Sequence, residues 1–171
     1  INAIPEFKGG EEKPYRVYTT FEDITEKINR QQEIKRYNDL LYRILENSPI
    51  GKTVVDKDGL ITFANKRAEE ILGVNRKEIQ NRKYNDIKWE ITDLDGKEIP
   101  NDKLPVSLIM NGLKELKNYG MMTRDKKGNP KYLKVNGSPM LNENGDPEGG
   151  IFSIEEITEA ETKSQKSWKD F

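Results

Sequence analysis

Residues 47–73 read NSPIGKTVVDKDGLITFANKRAEEILG, and they leave the chain little choice of local structure. Two short apolar runs, Thr53-Val54-Val55 and Leu60-Ile61-Thr62-Phe63-Ala64, flank Asp56-Lys57-Asp58-Gly59. β-Branched and aromatic residues favour strands. An Asp/Gly tetrapeptide between two strands supplies hairpin chemistry, because Gly59 takes positive φ without a steric penalty. Asn65 is a good helix N-cap. Beyond it, Ala68, Ile71 and Leu72 fall at helical spacing, and Gly73 is placed to stop the helix. Asn65 has a second reading, in which its amide also ties the second strand to the turn before it.

The pieces "NSP-G", "D-DG-I-FAN" and "AEEILG" stand here in the order and spacing of the opening of a PAS domain, which they resemble. PAS domains (PAS/PAC modules) are small sensory units of signalling proteins. The resemblance implies an α+β fold: a five-stranded antiparallel sheet with short helices on one face, here preceded by a long linker helix. It covers residues 47–158 as one full domain and residues 1–28 as the terminal hairpin of a preceding one.

Ile1 to Phe7 alternates loosely, Lys8 to Lys13 holds a Gly-Gly turn, and Tyr15 to Phe21 is rich in β-branched and aromatic residues. That pattern is a hairpin, either the end of a preceding PAS domain or an N-terminal arm of this one. Asp23-Ile24-Thr25-Glu26 is echoed by Glu156-Ile157-Thr158-Glu159, a repeat at domain spacing that supports tandem units. Thr25 to Glu46 carries no Pro or Gly, and Ile34, Tyr37, Leu41 and Ile44 are spaced three, four and three, which is a heptad seam. Residues 29–46 are therefore a linker helix, packing on a neighbouring sheet or forming a parallel coiled coil in a homodimer. Asn75 to Arg82 predicts a second short helix, and Val106 to Met110 a third that ends at Asn111-Gly112. Three strands follow, over Leu113–Arg124, Lys131–Met140 and Gly150–Glu155, separated by Asn/Asp/Gly turns. Residues 159–171 are expected to begin an outgoing linker helix with a frayed end.

Absences exclude more than the composition suggests. The chain has no Cys and no His. It therefore offers no disulfide, no zinc-thiolate site, no cysteinyl-flavin adduct, no His-ligated haem and no histidine to phosphorylate. Asp56/Asp58 and Asp93/Asp95 lack the third acidic position and distant Glu of a calcium loop, so they read as turns. No apolar run approaches the roughly 20 residues that cross a bilayer, and the start has no signal-peptide pattern. The missing initiator Met suggests a piece of a longer protein. A net charge of −1 gives no general attraction to nucleic acid or anionic lipid. No catalytic constellation emerges, so a non-enzymatic, cytoplasmic module is expected; the parent is sensor-kinase-like (two-component) by family implication, with other domains as partners.

One place for chemistry is left. The resemblance implies a ligand site between the inner sheet face and the short helices. Its candidate residues are Phe63, Ile79, Ile87, Trp89, Ile109, Met122, Val135 and Phe152, with Tyr84 and Asn136 as polar contacts. Trp89 and Tyr84 combine an apolar body with a polar tip. The competing reading is that these side chains simply fill a small core, making the domain a closed dimerisation or spacer module. The sequence names no cofactor; non-covalent flavin, a fatty acid, a carboxylate or nothing at all are open.

Overall fold

A computed structural model describes every residue except Ile1, Glu11, Asn81, Leu113 and Lys126, and describes Ile87 by its backbone alone. The chain divides into two compact units, residues 1–42 and 43–171.

In the first unit β1 (Asn2–Glu6) pairs antiparallel with β2 (Arg16–Thr20), in register from Asn2 opposite Thr20 to Glu6 opposite Arg16. The expected hairpin is present from Asn2 onward; Ile1 lies outside the described residues. Helix α1 (Thr25–Glu46) starts where Asp23 accepts a hydrogen bond from the Thr25 amide at 2.9 Å; hydrogen bonding with the Thr25 side chain, and then with that amide, holds the exposed Asp23 carboxyl below its usual range. The helix buries no residue. The seam residues Ile34, Tyr37, Leu41 and Ile44 are 57–60% exposed, so the apolar stripe faces outward.

The second unit holds a five-stranded antiparallel sheet: β3 (Gly51–Asp56), β4 (Ile61–Ala64), β5 (Leu116–Arg124), β6 (Pro130–Leu141) and β7 (Pro147–Ile157). The strand order is β4-β3-β7-β6-β5. Strand periodicity sends alternate residues to opposite faces. Thr53 and Val55 of β3, Leu133 and Val135 of β6, and Phe152 and Ile154 of β7 are accordingly buried together. Over that face lie α2 (Lys66–Leu72), α3 (Arg76–Ile79) and α4 (Pro105–Met110). The predicted caps form: Asn65 accepts from the Ala68 amide, and Gly73 closes α2 at φ 69°.

Boundaries differ where tertiary pairing overrides local pattern. α3 stops at Ile79, not Arg82, because the Arg82 carbonyl accepts from the Ile61 amide at 3.1 Å and Leu60 bridges to Lys83. The chain there adds an edge to β4. β5 begins at Leu116, and Leu113 lies outside the described residues. The expected outgoing helix does not form over 159–171. A capping box of Thr158 and Glu161 opens a 3-10 turn at Glu159–Ser164, and a second box of Ser167 and Asp170 opens another at Trp168–Asp170. Trp168 and Phe171 pack, partly buried, against the core cluster.

Gly149 decides how closely β7 approaches β3. Its φ is 145°, and a Cβ there would meet the Val55 carbonyl oxygen at 2.2 Å and the Asp56 Cα at 3.1 Å. Both obstacles are backbone of a central strand. Gly149→Ala is therefore expected to destabilise the domain by about 3 kcal/mol or more, through φ strain and displacement of β3. Urea denaturation of the variant measures this; a loss under about 1 kcal/mol would show that the two strands separate freely.

Candidate functional site: a core cavity and the helix junction

The inner sheet face and the helices enclose a cavity of ≈ 80 Å³ whose walls include Val55, Tyr84, Trp89, Val106, Met121 and Phe152. Tyr84, Trp89, Val135 and Phe152 among the predicted residues line it. The others do not. Ile79 and Ile109 are fully buried in the core cluster but away from the cavity wall. Phe63 is only half-buried, on β4, and the Ile87 side chain lies outside the described residues.

Met122 is replaced on the cavity wall by Met121. The reason is a bulge: the β5–β6 register shifts between Leu116 and Tyr119, and Asn118 sits at φ 55°. One inserted residue moves every later side chain to the opposite face. Met122 instead exchanges two backbone hydrogen bonds with Thr92, at 2.8 and 2.9 Å. Asn136 also leaves the cavity. Its Oδ1 accepts from the Asn118 amide at 2.8 Å, so it holds the bulge.

The polar tips of Tyr84 and Trp89 already have protein partners. Ser107 Oγ donates to the Asn101 carbonyl, which leaves it to accept from the Tyr84 hydroxyl at 2.8 Å. Trp89 Nε1 donates to the Lys83 carbonyl at 2.8 Å, and the Arg82 guanidinium lies 5.1 Å from the indole ring centre. Phe152 also borders the cavity. Its ring lies so close over Gly137 and Gly150 that a Cβ at either would approach it to 2.6 or 2.8 Å. At ≈ 80 Å³ the cavity is smaller than the ~150 Å³ that holds benzene and far below the ~300 Å³ at which drug-sized sites begin.

The second feature is the junction between α1 and the sheet. Asn65 is fully buried, and its amide makes four hydrogen bonds. Oδ1 accepts from the amides of Lys52 at 2.8 Å and Ala68 at 2.9 Å; Nδ2 donates to the carbonyls of Leu45 at 2.8 Å and Ile50 at 3.0 Å. One side chain thus joins the last turn of α1, the entry to β3 and the start of α2. The cap reading of Asn65 holds, while its other bonds go to the last turn of α1 and the entry to β3 and not to the Asp56–Gly59 turn. Beside it Glu46, on that same turn, pairs with Arg76 at 2.6 Å, and Arg76 also approaches Glu69 at 3.7 Å. The Glu46–Arg76 pair joins residues 30 apart in sequence, and no local pattern announces it.

Among the described residues no group of acidic side chains is arranged to hold a metal ion, and no helix is long and apolar enough to cross a membrane. No curated protein matches the chain. Solved structures do. The PAS domain of a protein from Colwellia psychrerythraea is 16% identical over 71% of this chain and 98% of its own, with a TM-score of 0.56. The PAS domain of an HTR-like protein from Haloarcula marismortui is 22% identical over 76% and 99%, with a TM-score of 0.54. A PAS domain of a LuxR-family transcriptional regulator from Burkholderia thailandensis, solved in complex with ethanol, is 16% identical over 68% and 96%, with a TM-score of 0.50. The family model described as the PAS fold matches residues 39–157. With that match, the antiparallel sheet and the helices over its inner face, the chain belongs to the PAS family, a sensory and non-catalytic fold of signalling proteins.

Proposed function

We propose that this chain is a relay module of a larger, cytoplasmic, multi-domain signalling protein, in which the PAS core is coupled to α1 through Asn65. The observation that carries the reading is the four-bond anchorage of Asn65, which fixes the last turn of α1 to β3 and α2. A change in core packing that moves β3 against α2 must stretch one of those bonds or carry α1 with it. The exposed seam of Ile34, Tyr37, Leu41 and Ile44 gives α1 a partner surface, and a second copy of the chain supplies a matching heptad stripe. The hairpin of β1 and β2 is the terminal hairpin of a preceding PAS unit in this reading.

The signal arrives as a very small apolar or weakly polar molecule or as a partner domain. Ethanol, held by the Burkholderia thailandensis relative, has the size that an ≈ 80 Å³ cavity accepts. The same volume favours a second reading, a closed-core dimerisation or spacer module that binds nothing. A ligand acts only through different affinities for two packings of the core.

Native mass spectrometry of the full chain, gentle and then denaturing, separates these readings. The relay reading expects a dimer, converted to monomer by Leu41→Glu with Ile44→Glu while the thermal midpoint of the core shifts by under ~3 °C, roughly the effect of 1 kcal/mol. A reproducible adduct that leaves on denaturation identifies the ligand. A chain that stays monomeric at high protein concentration and carries no adduct sinks the proposal.

A further inference from the structure

From Asn118 to Gly120 the outer edge of β5 is covered by residues 165–171, next to the point where Thr92 pairs with Met122. Lys166 pairs parallel with Tyr119. Its amide donates to the Asn118 carbonyl at 2.9 Å, and its carbonyl accepts from the Gly120 amide at 3.2 Å. The bulge at Asn118 and the absence of a side chain at Gly120 make room for this approach. A Cβ on Gly120 would meet Gln165 Cβ at 2.8 Å and Leu94 Cδ1 at 2.7 Å. The Ser167–Asp170 capping box then turns the chain through one 3-10 turn. Three residues per turn place Trp168 and Phe171 on one side.

Both aromatics pack on the core cluster. The Phe171 ring lies 5.6 Å from that of Tyr119, and Trp168 Nε1 points at Asp93 Oδ2 from 3.4 Å. Tyr119 is completely buried. Burial, and then the nearby charge of Asp93, push its hydroxyl far above the usual tyrosine range. That hydroxyl donates to the Lys103 carbonyl at 2.8 Å, just before Leu104, Pro105 and Val106, which line the core cavity. The edge of β5 is therefore linked to the cavity by one side chain.

The covering is also shallow. Trp168 and Phe171 are only half-buried, and Gln165 and Ser167 border a cleft of ≈ 380 Å³ against Asp93, Leu94, Gly120 and Tyr132. Two backbone hydrogen bonds and two half-buried rings are far less than what holds β6 to β7. Segments with so few buried contacts open locally without global unfolding.

We propose that the outer edge of β5 is a strand-addition groove for a short peptide bearing two aromatic side chains three residues apart. Residues 165–171 occupy it in cis and leave it reversibly. Main-chain bonds to Asn118 and Gly120 supply the pairing, and the Trp168 and Phe171 sites supply the selectivity. This groove lies apart from the Asn65 junction, and its existence does not depend on the relay reading.

Two measurements on the full chain test it. In hydrogen exchange, the Gly120 and Lys166 amides are expected to exchange at least ~100-fold faster than those of Leu133 and Ile154 on the central strands, in keeping with local opening. In binding, an amidated, fluorescein-labelled Gln-Lys-Ser-Trp-Lys-Asp-Phe peptide should bind W168A/F171A at least ~10-fold more tightly than wild type, whose own segment competes at an effective concentration near millimolar. The same peptide with both aromatics changed to alanine should bind neither chain. A Gly120 amide as slow as that of Leu133 overturns the reversible release. A folded double variant that ignores the aromatic peptide overturns the groove, and should that variant not fold, the wild-type exchange decides alone.

Discussion

Asn65→Asp is expected to destabilise the PAS unit by about 3–5 kcal/mol, although the two side chains are nearly the same shape. An aspartate keeps the two accepting bonds, to the amides of Lys52 and Ala68, and loses the two donated ones, to the carbonyls of Leu45 and Ile50. Each buried acceptor left without a donor costs ~1–3 kcal/mol. A carboxylate in a fully buried position adds the cost of its own desolvation and repels both carbonyl oxygens. At roughly 3 °C per kcal/mol for a domain of this size, the thermal midpoint should fall by about 10 °C. Asn65→Ala removes all four bonds, so comparing the two variants separates the cap of α2 from the tie to α1. If Asn65→Asp retains wild-type stability to within about 1 kcal/mol, the bonds to Leu45 and Ile50 do not hold the last turn of α1, and the coupling assigned to this residue fails.

Phe152→Ala should open the core. The ring lies over Gly137 and Gly150 and borders the existing cavity, so its removal joins the two spaces. Large-to-small changes of this kind cost about 3–5 kcal/mol where the surroundings cannot collapse. They collapse poorly here, because the floor is the backbone of β6 and β7, fixed by continuous pairing from Tyr132 opposite Ile157 to Pro139 opposite Gly150. The enlarged space approaches the ~150 Å³ that holds benzene in an apolar protein cavity. Benzene should therefore raise the midpoint of Phe152→Ala and leave wild type unchanged, as binding to the native state alone requires. A variant that loses under about 2 kcal/mol and ignores benzene has collapsed around the gap. In that case the closed core would be a property of the whole fold and not of Phe152.

Sequence and structure part company at identifiable places. Thr53–Val55, the Asp56–Gly59 turn and the helix capped by Asn65 were legible because their signals are local: strand propensity, turn chemistry and a capping side chain. Four of the nine expected site residues whose side chains are described line the cavity, and the placement of the others has physical causes. Met122 lies off the cavity wall because the bulge at Asn118 puts Met121 there instead, and that bulge is set by pairing with β6 that no local pattern carries. Asn136 looked like a ligand contact because a half-buried amide on a strand does not reveal that its acceptor serves a neighbouring strand. The pairing of Glu46 with Arg76 and the burial of Trp168 and Phe171 have no short-range signature at all.

By itself the sequence determined the strand-and-helix order up to β7, the PAS resemblance and the exclusion of His- and Cys-dependent chemistry, since each follows from residue type and near-neighbour spacing. Only the tertiary structure decided the size of the cavity, the four-way role of Asn65 and the return of residues 165–171 to the edge of β5. Those depend on distances between residues far apart in the chain: Leu45 to Asn65, Gly137 to Phe152 and Asn118 to Lys166. Close packing fixes such distances only once the whole core has formed.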